Sequence, residues 1–442
     1  MIDLHEIQRA MRTMRRAALG RGLIGALDVG TSKVACFVLR LEEPRVVDLA
    51  DVGPMAGLGR VRVVGFAATR SRGVRFGEVA SMRETEAAIR TVVQAAEHEA
   101  GDRVDHVVAG LSGADPCSHG LSGAVLVEGE VGEADVARAM ADCTPPDLGP
   151  DRHVIHAQPV HFALDHRTGL ADPRGLSGRR LFCDMHMMCV DAGAARAVVE
   201  AVKRCDLEVA GLTASAHASG LAALVEDERE LGAACVDIGG GATSVSIFMR
   251  RHMVHADAVR MGGEHVTSDI HKGLQVSLGT AERIKTLNAG VHATGLDDRE
   301  MIEVGGGTGD WEADRRTVSR AELIGVMRPR VEEILEETRR ALDAAGFDEL
   351  PTRKVVLTGG GSEIPGITDL AGRILGAQVR LGRPIRLRGV PARATGPAFS
   401  SLTGLCLEAA QPEDERWDFA LPQDERSRLG LGRAVRWLRA NW

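Results

Sequence analysis

The sequence predicts an α/β protein with two related lobes, because one short pattern occurs twice. Residues 24–38 read IGALDVGTSKVACFV, and residues 235–248 read CVDIGGGATSVSIF. Each copy joins two apolar stretches through an aspartate and a glycine-containing turn with a hydroxyl residue, which is typical of a β-hairpin. Apolar strands and helical segments alternate after each copy, so each hairpin is expected to open one α/β half.

The first half begins near residue 22 and is interrupted once. Its first strands and helix are expected at residues 24–27, 34–39, 61–68, 82–98 and 106–111. A less regular stretch then runs to about residue 186, with strands near 124–127 and 154–162 and a helix near 133–142. The αβ alternation resumes with a strand, a helix and a strand at residues 185–190, 194–204 and 209–212.

The second half begins at about residue 233 with the second hairpin. Three helices are expected at residues 263–273, 280–288 and 320–345, followed by a buried strand at 354–358. Residues 411–426 are acidic and contain proline, which is typical of a linker, and residues 427–442 form a separate basic segment. Residues 1–21 carry five arginines and apolar residues at helical spacing, which fits an amphipathic helix or a solvated arm.

Composition excludes several classes of function. The 442 residues are 44% hydrophobic and 26% charged, as in soluble globular proteins, and the net charge of −8 argues against bulk nucleic-acid binding. No apolar run is long enough to cross a bilayer, and no signal peptide is expected. The eight cysteines include no C-x-x-C pair, so we expect reduced core thiols rather than a zinc or redox site.

The two hairpin turns are candidate phosphate-binding elements. Their glycines let the backbone approach phosphate oxygens, and the carboxylates of Asp28 and Asp237 could hold a hydrated Mg²⁺. Two such turns facing each other would form a clamp for a polyphosphate and its cation. Residues 358–366 read TGGGSEIPG after an apolar strand, and this glycine-rich turn offers further N–H donors to a nucleotide.

The order of hairpin turn, second turn, helix and glycine-rich turn resembles the ATP-binding superfamily of actin, sugar kinases and the seventy-kilodalton heat-shock chaperones. The resemblance implies an actin-like (ribonuclease H-like) two-lobed ATPase fold that binds ATP and Mg. The phosphate-1 motif of this superfamily matches Asp28, Gly30, Thr31, Ser32 and Lys33, and its phosphate-2 motif matches Asp237, Gly239, Gly240, Gly241 and Thr243. Its adenosine motif matches Gly359, Gly360, Gly361 and Ser362, and the helix AERIK adds Glu282 and Lys285. Asp28 and Asp237 are the implied Mg ligands, through water, and are also candidate catalytic residues.

Within this superfamily, residues 22–405 most closely resemble the FtsA family of bacterial cell-division proteins. Motifs outside the ATP site that carry the resemblance are SRGVRFGEV, VIHAQPVHFALD, GLSGRRL, VEDERELG and MGGEHVTSDI. The resemblance implies a subdomain 1C inserted at residues 110–187. The remaining implied divisions are subdomain 1A at 22–109, 188–232 and 386–410, subdomain 2A at 233–260 and 351–385, and subdomain 2B at 261–350.

The family resemblance implies a role in division. Such a protein would bind ATP, polymerise with itself, and tether filaments of the tubulin homologue FtsZ to the cytoplasmic face of the bacterial inner membrane at the septum. It would also recruit and activate other division proteins such as FtsN, through subdomain 1C, and would not bind nucleic acid. The FtsZ C-terminal tail is expected on subdomain 2B near Arg328, Arg330 and Glu333, although these residues also fit a solvated helix face.

The helix after residues 209–213 departs from the better hydrolases of the superfamily. Those enzymes carry a Glu or Gln near its start to orient the attacking water, whereas this chain has Ala214, Ser215 and Ala216. His217 is the nearest polar ring and fits either a catalytic base or a packed helix histidine. We therefore predict at most a weak ATPase in which ATP is mainly a structural ligand.

The C-terminal segment SRLGLGRAVRWLRANW has the pattern of an interfacial amphipathic helix that binds an anionic membrane. A helix packed on its own protein would show the same apolar stripe. The candidate membrane-contacting residues are Leu431, Val435, Trp437, Leu438 and Trp442, with the cations Arg433, Arg436 and Arg439. This segment also distinguishes a division protein that tethers filaments to the membrane from two alternatives, a pilus-assembly scaffold similar to PilM and a small-metabolite kinase.

Overall fold

Two five-stranded sheets with the same topology form the two halves of the protein. The computed structural model describes residues 13–41, 61–304, 316–350 and 352–410. The predicted linker at 411–426, the C-terminal segment at 427–442 and the start of the N-terminal arm lie outside these residues. The described part of the arm, residues 13–20, is a helix (α1), and the side chains of Arg15 and Ala18 are buried.

Lobe 1 is built on the sheet β11-β6-β1-β2-β3. Its elements are β1 (Leu23–Val29), β2 (Lys33–Leu41), β3 (Val61–Arg70), the short β4 (Val74–Arg75) and β5 (Glu78–Val79), α2 (Met82–Ala100), β6 (His106–Leu111), α4 (Ala192–Lys203) and β11 (Glu208–Ala214). Strand β1 pairs antiparallel with β2 and parallel with β6, so it lies in the middle of the sheet, and six of its seven residues are buried. This position explains its nearly continuous apolar sequence LIGALDV.

The less regular stretch of the sequence is a separate sheet inserted between β6 and α4. It contains β7 (Cys117–Glu130), α3 (Glu133–Asp142), β8 (Arg152–Leu164), β9 (Arg167–Leu170) and β10 (Ser177–Asp191), in the sheet order β7-β10-β8-β9. The insertion has its own apolar core, which includes Val136, Phe162 and Leu181. Its first and last strands, β7 and β10, are antiparallel neighbours.

Lobe 2 repeats the topology of lobe 1 in the sheet β14-β13-β12-β17-β18. Its elements are β12 (Ala233–Ile238), β13 (Thr243–Met249), β14 (His252–Val259), α7 (Gly263–Gly273), α8 (Leu278–Asn288), β15 (Met301–Val304), β16 (Arg316–Ser319), α9 (Arg320–Ala344), β17 (Lys354–Thr358), α10 (Ile367–Leu375) and β18 (Gln378–Leu381). Here β12 takes the place of β1, because it pairs antiparallel with β13 and parallel with β17.

A pair of buried helices joins the lobes. Helix α5 (Ser215–Ala223), which precedes the short α6 (Glu226–Leu231), packs on β12 and β13 of lobe 2. Helix α11 (Ser400–Ala410) packs on β1 and β6 of lobe 1 and also against α5. All nine residues of α5 are buried, which explains why its sequence has no polar face. Within the described ranges, no helix combines the length and the apolar character needed to span a membrane.

Candidate nucleotide-binding site

The turns of the two repeated hairpins lie against each other between the lobes. A Cβ atom at position 241 would lie 2.6 Å from Oγ1 of Thr31, and one at position 240 would lie 2.9 Å from Cβ of Ser32. Only glycine fits this approach without displacing the neighbouring turn. The predicted facing arrangement of the two turns is therefore present in the structure.

The first turn, between β1 and β2, is closed by its own backbone. The N–H of Gly30 donates to the carbonyl oxygen of Lys33 at 3.0 Å. The hydroxyl oxygen of Thr31 accepts a hydrogen bond from the N–H of Gly77 at 2.9 Å, between β4 and β5. The motif SRGVRFGEV thus forms a short hairpin that supports the first turn from the side.

The second turn, between β12 and β13, is held in the same way. The N–H of Gly239 donates to the carbonyl oxygen of Ala242 at 3.0 Å, and Thr243 donates to the carbonyl oxygen of Met261 at 2.8 Å. Carbonyl oxygens of the turn also accept hydrogen bonds from the first residues of α7, Gly263 at 2.9 Å and Glu264 at 2.8 Å. These bonds fix the amino end of α7 on the second turn.

Both aspartates of the repeated pattern lie near the ends of their strands, where Asp28 is buried and Asp237 is partly buried. Burial raises the pKa of Asp28, and Lys33 and a hydrogen bond from Ser401 oppose that rise. Burial raises the pKa of Asp237 to about 6, where Ser219 and Lys33 oppose the rise and the charge of Asp28 adds to it. Because the charge of one carboxylate raises the pKa of the other, the pair forms a site that a cation would stabilise.

Lys33 is a cation whose charge acts on this pair. Its Nζ donates to the carbonyl oxygen of Ala398 and lies 4.9 Å from the centre of the Phe399 ring. Lys33 therefore connects the first turn to the segment that leads into α11. Its charge acts on both Asp28 and Asp237, so it lies within electrostatic reach of both halves of the site.

The glycine-rich turn packs directly on the second hairpin. Gly359 has a φ angle of +82°, and a Cβ atom there would lie 2.1 Å from Oδ1 of Asp237. A Cβ atom at Gly361 would lie 2.4 Å from Cγ2 of Ile238, whereas one at Gly360 would meet only the Ala398 methyl group at 3.6 Å. Ser362 closes the turn, since its hydroxyl donates to the carbonyl oxygen of Gly359 at 2.7 Å.

The two residues predicted from the AERIK helix are fixed on α8 beside the start of α7. Nζ of Lys285 lies 2.7 Å from Oε2 of Glu282 and donates to the carbonyl oxygen of Gly263 at 3.0 Å. The hydroxyl of Thr267 bridges the two charged groups. The chain of contacts from the second turn through α7 to α8 places this pair at the edge of the site.

Two residues of the site could not be found from motifs. Ser219 of α5 donates to a carboxylate oxygen of Asp237, and Ser401 of α11 donates to Oδ1 of Asp28 at 3.4 Å. Each central helix therefore contacts the aspartate of one lobe. The only sequence signal is a hydroxyl residue inside a fully or almost fully buried helix.

The polar side chains at the start of α5 contact other side chains of the protein. Oγ of Ser215 lies 2.7 Å from Oγ of Ser112 at the end of β6. His217 is 2% exposed, and its Nε2 lies 3.5 Å from Oε2 of Glu408 on α11. Its ring centre is 4.6 Å from that of His156 in the insertion. This environment favours a packed histidine over a catalytic base.

The three residues predicted to bind the FtsZ tail lie on α9 and are paired with neighbours. Arg328 forms an ion pair with Glu332 at 2.7 Å. Nε of Arg330 lies 2.6 Å from Oδ2 of Asp269 on α7, and its guanidinium also contacts Glu333. An incoming carboxylate would therefore compete with Asp269 for Arg330. The candidate membrane residues, from Leu431 to Trp442, lie outside the described residues.

Comparison with known proteins gives matches over most of the chain. A family model described as Cell division protein FtsA matches residues 234–404, and one described as SHS2 domain inserted in FTSA matches residues 113–189. The curated protein "Cell division protein FtsA" of Agrobacterium fabrum is 36% identical over 386 residues, which cover 87% of this chain and 86% of that protein.

Solved structures extend the comparison to the fold. The "PilM-PilN type IV pilus biogenesis complex" aligns with a TM-score of 0.58 and 18% identity, covering 88% of this chain and 99% of that one. MreB5 of Spiroplasma citri bound to ADP aligns with a TM-score of 0.52 and 13% identity, covering 90% and 97%. The predicted actin-like ATPase fold with an inserted subdomain is thereby confirmed.

Proposed function

Because the chain belongs to the FtsA family of cell division proteins, we propose that it binds ATP between its lobes, polymerises, and tethers FtsZ filaments to the cytoplasmic membrane at the septum. The observation that carries the nucleotide part of this proposal is the contact between the two glycine turns, with the buried Asp28 behind one and the partly buried Asp237 behind the other. Neither lobe alone contains both halves of that arrangement, so a ligand bound there would hold the lobes together.

The side chains of the site fit ATP with Mg²⁺. Asp28 and Asp237 would hold the hydrated cation, whose positive charge removes the cost of two carboxylates in one site. The turns of residues 30–32 and 239–241 would receive the phosphates, and Lys33 supplies a positive charge beside them. Residues 359–362, with Glu282 and Lys285, would contact the adenosine.

We propose that ATP is mainly a structural ligand in this protein. The start of α5 carries Ala214, Ser215 and Ala216 instead of a Glu or Gln, and the hydroxyl of Ser215 is engaged by Ser112. His217 faces Glu408 rather than the two turns. The arrangement therefore supports retention of the nucleotide and, at most, weak ATPase activity.

The membrane part of the proposal rests on the sequence of residues 427–442. Each arginine near an anionic leaflet contributes about 1 kcal/mol, and each large apolar side chain contributes roughly 1.5–3 kcal/mol before ordering costs. Gly430 and Gly432 each weaken the helix by about 1 kcal/mol relative to alanine. One tail therefore binds weakly, whereas tails on a polymer bind together because the later contacts are intramolecular.

Partner contacts are proposed on two surfaces. The FtsZ C-terminal tail would bind near Arg328, Arg330 and Glu333 on α9, where the guanidinium groups are held by carboxylates that a peptide carboxylate could replace. Other division proteins such as FtsN would contact the insertion of β7 to β10. A pilus-assembly scaffold is the second candidate, favoured by the fold shared with the PilM-PilN structure.

Electron microscopy on anionic lipid monolayers with ATP tests the proposal. We expect rows of filaments with the full chain and with Arg436→Lys, which keeps the charge of the tail. We expect bare monolayers when residues 427–442 are deleted or when Val435→Asp breaks the apolar stripe. Filaments that coat the lipid equally well without the tail would contradict the membrane role, and the absence of any filaments would favour the scaffold.

A further inference from the structure

Three side chains that commonly bind metals meet where the insertion joins lobe 1. Sγ of Cys117 lies 3.4 Å from Nε2 of His119, and Sγ of Cys189 lies 3.7 Å from the same nitrogen. These three ligand atoms all lie within 4.8 Å of one another. The group lies in the insertion and shares no residue with the nucleotide site.

Strand geometry explains why the three side chains converge. Cys117 and His119 are two residues apart on β7 and therefore point to the same face. Cys189 on β10 is the register partner of Cys117. The ladder between β7 and β10 fixes both backbones, so the group does not depend on a loop for its geometry.

The distances between ligand atoms match those of a tetrahedral zinc site. Zinc binds cysteine sulfur at about 2.3 Å and histidine nitrogen at about 2.0–2.1 Å. At a tetrahedral angle these lengths place the sulfur and nitrogen atoms about 3.6 Å apart. The two observed separations, 3.4 Å and 3.7 Å, lie on either side of this value.

The surroundings of the three side chains differ in exposure. Arg152 of β8 pairs with Asp115, two residues before Cys117, so a guanidinium group lies close to the group. Cys189 is buried, whereas Cys117 and His119 are partly exposed. A fourth position on the metal would therefore face solvent and could hold a water molecule.

We propose that Cys117, His119 and Cys189 bind one zinc ion or a similar soft divalent cation. The ion would join the first strand of the insertion to its last strand and so fix the insertion where it leaves lobe 1. The absence of a C-x-x-C pair had favoured inert core thiols, but the third ligand lies 70 residues from His119 and is brought in by strand pairing alone.

Metal content of the full chain, purified without a histidine tag and under reducing conditions, tests the site. We expect about one zinc per chain by mass spectrometry of the metals, and loss of at least four-fifths of it in Cys117→Ser and in His119→Gln. Cys205→Ser is the matched control, because Cys205 is also a partly exposed free thiol but lies outside the group. This control should retain its zinc.

A second measurement covers the case in which a variant folds poorly. Cobalt(II) added to the chelator-treated wild-type chain should give the near-ultraviolet absorption of a thiolate–cobalt bond and should raise the melting temperature. Zinc content below about one-tenth per chain with no cobalt signal would overturn the proposal. A Cys117–Cys189 disulfide in the protein purified under reducing conditions, or zinc retained in the Cys117→Ser, Cys189→Ser double variant, would overturn it as well.

Discussion

Gly404 of α11 crosses Ala218 of α5 so closely that a Cβ atom at position 404 would lie 1.8 Å from the carbonyl oxygen of Ala218. Helix α11 rests on the lobe 1 sheet and α5 rests on the lobe 2 sheet. This backbone contact is therefore a point at which the spacing of the two lobes is set. Any side chain at position 404 would have to push the two helices apart.

Gly404→Ala is expected to lower the free energy of unfolding by about 1–3 kcal/mol, the usual cost of overpacking. An alanine in an open helix position would instead raise it by up to about 1 kcal/mol relative to glycine. Gly325→Ala on α9 is the matched control, because a Cβ atom there meets nothing within 4 Å. Urea denaturation of both variants checks this, and equal stabilisation by the two would contradict the role of the contact.

Gly359→Ala is expected to weaken nucleotide binding at least tenfold. Its Cβ atom would lie 2.1 Å from Oδ1 of Asp237, and the φ angle of +82° adds backbone strain. Gly376→Ala separates the two effects, because Gly376 has a φ angle of +62° but open space around its Cβ position. Titration with a fluorescent ATP analogue should show normal affinity for Gly376→Ala, and equal losses in both variants would argue against a specific clash.

Asp237→Asn is expected to raise the melting temperature of the nucleotide-free protein and to remove the Mg²⁺ dependence of ATP binding. Removing one carboxylate relieves the mutual repulsion with Asp28, while the amide oxygen can still accept the hydrogen bond from Ser219. Thermal melts with ATP, in Mg²⁺ and in a chelator, check both effects. A variant that keeps the wild-type response to Mg²⁺ would exclude Asp237 as a ligand of the hydrated cation.

Acid is expected to destabilise the junction between the insertion and the central helices. Burial, together with the charge of His217, lowers the pKa of His156 from 6.5 to about 3. The unfolded chain therefore binds more protons below pH 6.5, and stability falls as the pH decreases from 6.5 towards 3, by roughly 1 kcal/mol per pH unit. The neighbouring groups that act on this ring are His217, Glu408 and His186.

His156→Gln should flatten this acid dependence, since glutamine can still accept the 3.1 Å hydrogen bond from the Ala214 N–H. Urea denaturation between pH 7 and pH 5 measures the slope. Exposed His98→Gln is the control and should leave the slope unchanged. Glu408 acts at lower pH, because its pKa is held below its usual range: burial alone would raise it, but the close contact with His217 and the charge of Arg15 outweigh burial. An unchanged slope in His156→Gln would contradict the prediction.

Arg330→Gln is expected to weaken binding of an FtsZ tail peptide several-fold. The substitution removes the guanidinium that bridges Asp269 and Glu333, leaving two carboxylates that repel an acidic peptide. Arg340→Gln lies on the same helix and removes an exposed arginine that pairs with Glu337, so it controls for net charge. Calorimetric titration should distinguish the two, and identical affinities would exclude Arg330 from the peptide site.

The sequence predicted the elements with clear apolar periodicity. The helix expected at 82–98 is α2, the strand expected at 24–27 is the central strand β1 of lobe 1, and the strand expected at 354–358 is β17, which pairs with the central strand β12 of lobe 2. Strand β14 was not predicted, because an edge strand reading HMVHADAV has too few buried positions to show a period. The insertion was harder still, since bulges in the pairing of β10 with its neighbours break the alternation of its long strands.

The candidate site was predictable only where function imposes a local motif. Asp28 and Asp237 follow from the repeated hairpin, and the three glycines follow from their turn. Ser219 and Ser401 reach the same carboxylates from the two central helices, so only the packing of α5 on the lobe 2 sheet and of α11 on the lobe 1 sheet reveals them. Cys189 is likewise brought to Cys117 by strand register rather than by spacing along the chain.

The pairing of the first and last strands of the insertion has a consequence for how this chain can evolve. The N–H of Asp191 donates to the carbonyl oxygen of Ala114 at 2.8 Å, so the chain returns to lobe 1 beside the place where it left. For lobe 1, the whole insertion is thus equivalent to one closed loop, and the entropy of closing a loop grows only slowly with its length. The outer surface of the insertion is therefore free to gain, lose or exchange residues while the two lobes keep their fold.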